Sequence, residues 1–113
     1  MLKKSVRIAK SKDWQTLYKQ GRTVFGQEIV LKILKNNTKT SRFGVAVGTK
    51  VSKKATTRNR LRRQIMVIIS QNLHHTKSGN DSIIIVKAGL AKKPFDEIKK
   101  TVEGSFKKAG LIS

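Results

Sequence analysis

The sequence predicts an α+β sandwich, one sheet layered with helices in the order α-β-β-β-α-β-α. Three observations predict it. Leu61, Ile65, Ile68 and Ile69 recur at i, i+4, i+7 and i+8, the buried stripe of a long amphipathic helix. Residues 83–86 (Ile83, Ile84, Ile85, Val86) are four consecutive β-branched residues, the mark of a strand buried on both faces. Phe43, Val45 and Val47 alternate with Gly44, Ala46 and Gly48, a half-buried strand with one face kept small.

The remaining elements follow in chain order. Residues 1–10 carry Lys3, Lys4, Arg7 and Lys10 and are expected to form an extended basic arm. Ser11 is expected to cap a short helix, with Asp13 in its first turn and Gly21 as its stop. That helix puts Trp14, Leu17 and Tyr18 on one face. Residues 22–35 read as strand, interrupted near Gly26, and residues 36–39 as a turn. The small-faced strand spans 42–48, and a basic loop follows over 50–54. The long helix spans 55–71, a polar loop 72–80 and the buried strand 82–87. Pro94 starts a last helix with Phe95, Ile98, Val102 and Phe106 inward. Asp96 and Glu97 in its first turn and Lys107 and Lys108 in its last suit the helix dipole, and Gly110 ends it.

Length and composition fit a single domain over residues 1–113 with a modest core, 37% of residues being apolar. The net charge is +20, and no acid lies between Glu28 and Asp81 while that span is dense in Lys and Arg. Such a footprint fits a nucleic-acid-binding protein. The absence of cysteine excludes disulfides, zinc–thiolate sites and a thiol nucleophile. The apolar runs are too short to span a bilayer and no apolar signal segment follows the first residues, so a cytoplasmic protein is expected.

The chemistry concentrates at residues 58–63: Arg58, Asn59, Arg60, Leu61, Arg62 and Arg63. Guanidinium forks fit phosphate oxygens bidentately, and no carboxylate nearby neutralises them. A solvated helix face would mix its charges, whereas Arg58 and Arg62 form an unfavourable like pair at i,i+4. At 100° per residue, Asn59, Arg62, Arg63 and Met66 share a face. Lys50, Lys53 and Lys54 on the preceding loop place amines beside the guanidiniums; the glycine spacing is not that of a Walker loop. Trp14 and Tyr18, one turn apart, are either core packing or a stacking platform for single-stranded bases. His74 and His75 are adjacent loop residues without metal-ligand spacing. No convergent carboxylates suit a metal-dependent nuclease, and no catalytic residue or metal site is assigned.

The chain resembles the protein subunit of bacterial ribonuclease P. The resemblance rests on the run from Arg42 to Val47, on Lys50, Lys53, Lys54 and Ala55, and on residues 58–63. Trp14, Tyr18 and Gly21, and Asp81 leading into residues 83–86, also fit. It implies a two-layer α/β sandwich like domain 2 of ribosomal protein S5, with a left-handed βαβ crossover at the Arg helix. It implies a holoenzyme that removes the 5′ leader of precursor tRNA with Mg²⁺, held mainly by a catalytic RNA subunit that the protein binds 1:1. Carried onto this sequence, Lys50, Lys53, Lys54, Arg58, Asn59, Arg60 and Arg63 would dock the catalytic RNA. Trp14, Tyr18, Lys32 and Arg62 would hold the single-stranded leader in a cleft between the first helix and the sheet. Two positions depart from the family. Lys32 stands where relatives often have a Tyr, and Met66 where they usually carry a base. A ribosomal or other structural RNA-binding protein, and a stand-alone RNA-cleaving enzyme, are the alternatives.

Overall fold

The computed structural model describes residues 4–112. Lys3, assigned to the basic arm, lies outside them. Four strands, β1 (Arg22–Phe25), β2 (Ile29–Lys35), β3 (Arg42–Ala46) and β4 (Asn80–Val86), form one sheet in the order β1-β2-β4-β3. β2 is antiparallel to β1 and to β4, while β3 runs parallel to β4. Parallel neighbours need a crossover, and the helix α2 (Ala55–Asn72) provides it. Helices α1 (Ser11–Gln20) and α3 (Phe95–Lys108) complete the predicted order, and 3₁₀ turns at Lys4–Val6, Leu73–His75 and Ala88–Lys92 were not foreseen.

The period of two assigns each strand residue to a face. Ile29, Leu31, Ile33, Phe43, Val45, Ile84 and Val86 are buried on one face against Leu61, Ile65, Ile68 and Ile69 of α2 and Ile98, Val102 and Phe106 of α3. Phe43 and Phe106 rings lie 6.1 Å apart between sheet and helix. The opposite face carries a smaller cluster of Ile8, Leu17 and Ile83, roofed by α1. Ile83 and Ile84 are both fully buried, as a strand covered on both sides requires.

Two local expectations change. Ser11 is the first helical residue of α1; Lys10 occupies the capping position and makes no side-chain cap. The chain enters α1 from an extended Lys10, which leaves Ser11 one residue too far in to cap. The described part of the arm is also not simply extended. It makes a 3₁₀ turn, then Arg7 bridges Phe43 in parallel and the Ile8 amide donates to the Phe43 carbonyl at 2.9 Å. Ile8 is apolar and becomes buried, which ties the arm to the β3 edge.

Candidate RNA-binding surfaces

The clamp that seats α1 on the sheet is ionic. Arg42 donates to Asp81 through Nε at 2.9 Å and again through Nη2, and to Asp13 of α1 through Nη1 at 3.2 Å. Asn36 donates to the same Asp81 carboxylate at 2.8 Å. The hydrogen bonds to Asp81 raise the Arg42 pKa above its ordinary value, against the opposing effect of burial. One guanidinium thus bridges both carboxylates at this end of the sheet.

Above this clamp, Trp14 lies flat over Gly44. A Cβ at Gly44 would come within 2.6 Å of the indole Cζ2, so the small face of β3 is the seat of the ring. Trp14 Nε1 donates to the Ile8 carbonyl at 3.0 Å, tying ring to arm. Tyr18 stacks beside it, with ring centroids 6.4 Å apart and planes inclined by 30°. Leu17 alone of the three points fully inward, while Tyr18 stays exposed. Of the aromatic pair, Trp14 is half-buried packing against β3 and Tyr18 is an exposed ring beside it.

The groove beside Trp14 has a volume of about 600 Å³, within the range of small-ligand sites. It follows the β3 edge between Lys4 and Arg7 of the arm, Trp14, and Arg62 and Met66 of α2. The structure thus brings Trp14 and Arg62 together, from elements 48 residues apart in sequence, and puts Met66 in the groove wall as the helical projection expected. Lys32 stands elsewhere, on the sheet face that α1 partly roofs. It is paired with Thr23 and Ile83, two strands from Gly44. Tyr18 does not line the groove either; it stands beside Trp14, one turn further along α1.

The second surface is the start of α2. Lys54 occupies its capping position with no side-chain cap, and the first turn holds no acid. The α2 N-terminus therefore presents unsatisfied N–H groups and positive dipole beside exposed Lys50, Lys53 and Lys54. Arg58 folds back and donates from Nη1 to the carbonyls of Ser52 and Lys53, both at 3.0 Å, which fixes the loop. Arg60 reaches across to the Ala91 carbonyl at 3.1 Å. Arg62 donates to Asn59 Oδ1 at 2.7 Å, in keeping with their shared face. Arg63 is exposed. Among the described residues no three His, Cys, Asp or Glu side chains converge as metal ligands, and no helix is long and apolar enough to cross a membrane.

Comparison with known proteins places the chain in a family. The sequence profile of the family described as Ribonuclease P matches residues 2–110. The chain belongs to the ribonuclease P protein family. The ribonuclease P protein component of Synechocystis sp. is 37% identical over 112 residues, covering 98% of this chain and 90% of the relative. The Staphylococcus aureus RNase P protein superposes with a TM-score of 0.89 at 26% identity, over 97% of this chain and 100% of that one. The Thermotoga maritima RNase P protein gives 0.83 at 25% identity, over 90% and 96%. As a ribonuclease P protein component, the chain is part of a tRNA-processing endoribonuclease.

Sequence reasoning missed three residues that shape the candidate site. Gly44 and Arg42 were noted as strand residues, but not as seat and clamp for α1. The alternation of large and small residues in β3 was the available signal for Gly44. Arg42 carried no local signal, because its partners lie 29 and 39 residues away. Ile8, whose carbonyl holds the indole, was read only as part of an arm.

Proposed function

We propose that this protein binds the catalytic RNA of ribonuclease P through the α2 N-terminal surface and holds the single-stranded 5′ leader of precursor tRNA at the Trp14 surface. The RNA carries the catalysis and holds most of the Mg²⁺; the protein docks 1:1, in the cytoplasm, and favours precursor over mature tRNA. Lys50, Lys53, Lys54, Arg58, Asn59, Arg60 and Arg63 face the RNA subunit. Trp14, Tyr18 and Arg62 meet the leader, and Lys32 offers it an amine where a ring is common in relatives. The carrying observation is the groove in which an indole from α1 and a guanidinium from α2 face one space, a stacking surface and a phosphate fork together. Hydrolysis needs no protein carboxylate in this reading, because the metal ions that activate water belong to the RNA.

The test is reconstitution. Labelled precursor tRNA is incubated at low Mg²⁺ with the protein, with a bacterial ribonuclease P RNA, and with both. Leader removal is expected only with both at low Mg²⁺. Cleavage by the protein alone would assign it a nuclease site of its own, and no enhancement over RNA alone would reduce it to a structural RNA-binding protein.

A further inference from the structure

The sheet face that carries Lys32 continues past the roof of α1. Register pairs Phe25 with Val30, Val30 with Ile85, and Ile85 with Ala46. These four side chains therefore form one apolar row across all four strands, on the same face as Lys32 and Gly44. Val30, Ile85 and Ala46 are half-buried, and Phe25 is 66% exposed, more than Tyr18 at 44%. A single exposed apolar residue is ordinary. An in-register row ending in an open aromatic ring is a surface.

Its surroundings are cationic. Lys32 lies in the adjacent row, beside Thr23 on Phe25's own strand. At the sheet edge Lys108 of α3 donates its amine to the Phe25 carbonyl at 2.7 Å. An apolar ring flanked by amines on a chain of net charge +20 complements a single-stranded polyanion with stackable bases.

Resting on the leader-binding reading, we infer that Phe25 is a second base-stacking position for the same single strand, distinct from Trp14 and at the opposite edge of the sheet. It places a ring one strand over from Lys32, the position that lacks one. Three strand spacings of about 4.8 Å separate the Trp14 seat on β3 from β1, roughly 14 Å. A strand rising about 3.4 Å per stacked nucleotide spans that in about four nucleotides, and an extended one in fewer. Phe25 also lies two residues along the strands from the Gly44 row, about 7 Å, so the separation is about 16 Å and the nucleotides stacked at Phe25 and at Trp14 are about two to five positions apart.

The experiment is a double-mutant cycle in the reconstituted holoenzyme. Precursor tRNA carrying an eight-nucleotide leader is made with an abasic residue at each leader position in turn. Its affinity is measured with unmodified protein, Phe25→Ala and Trp14→Ala. Phe25→Ala is expected to weaken precursor binding by roughly tenfold, within the range of a base–aromatic stack, and to leave mature tRNA binding unchanged. Its effect should vanish at one abasic position, about two to five nucleotides from the position where the effect of Trp14→Ala vanishes. Phe25→Tyr should keep the affinity and Phe25→Leu should lose it. The melting temperature of the Phe25 variants should hold, since that ring is exposed and the Lys108 bond is to backbone. If Trp14 couples to a leader position and Phe25 to none, the second position is refuted while leader binding stands. If neither substitution separates precursor from mature tRNA, the leader-binding reading itself fails. Equal loss for both tRNAs, or an oligomeric state of the RNA-free protein that changes with Phe25→Ala, would make the row a different interface and overturn the inference.

Discussion

Gly44→Ala tests whether Trp14 is positioned by the sheet. The added Cβ would lie 2.6 Å from Cζ2 and 2.7 Å from Cη2 of the indole. Ordinary carbon contacts are about 3.5–4.0 Å, so the ring must withdraw by roughly 1 Å. It cannot withdraw freely, because Nε1 is bonded to Ile8 and Tyr18 stands beside it. Overpacking of this kind costs about 1–3 kcal/mol. In a domain of this size each kcal/mol lowers the melting temperature by about 4–8 °C, so a fall of about 4–24 °C is expected. Trp14 is the sole tryptophan, and its emission therefore reports the displacement directly. Precursor tRNA binding should weaken, while RNA-subunit binding holds, because the α2 N-terminal surface is untouched. Adding Trp14→Phe should relieve the clash, making the double variant more stable than the two single effects predict by about 0.5 kcal/mol or more. A Gly44→Ala protein with unchanged melting and unchanged emission would refute the seating of the ring on β3.

Arg42→Ala should cost about 1–3 kcal/mol in thermal or urea unfolding, because nearly buried Asp81 loses its partner; the range is set below that of a fully buried pair since Arg42 is itself partly exposed to water. A loss under 0.5 kcal/mol would mean that α1 is held by Leu17 alone. Arg60→Ala should reduce RNA-subunit affinity and flatten its salt dependence by about one phosphate contact. An unchanged slope in a salt titration would leave Arg60 only as a bracket for Ala91. Sulfate or phosphate at constant ionic strength should raise the melting temperature by binding the uncapped, cationic α2 start in the native state; a flat response would contradict that.

Periodic features were the most legible. The stripe of α2, the β-branched run of β4 and the dipole-matched ends of α3 each arise from neighbours within one element, and each stands where the residues point. What joins elements was less so. The Arg42 clamp needs Asp13 and Asp81 brought from either side, and nothing in the spacing of these three announces it. The helical projection grouped Arg62 with Met66 correctly, because both lie on one helix, but could not show that the arm and Trp14 close the groove opposite them. Phe25 was hidden for the same reason. Its row exists only once four strands are in register.

Arg58, Arg60 and Arg62 each use an N–H group on an internal acceptor: loop carbonyls, the Ala91 carbonyl and Asn59. A guanidinium has five N–H donors in a rigid plane, so the bond taken inward fixes the direction of those left over. Immobilising such a side chain at an interface ordinarily costs about 0.5–1.5 kcal/mol. Here much of that ordering falls on folding rather than on association. Lysine at the same places would keep the charge and lose the orientation, with no planar fork to turn outward. In the proposed docking, charge draws the RNA toward this helix, and the inward bonds decide at what angle it can be held.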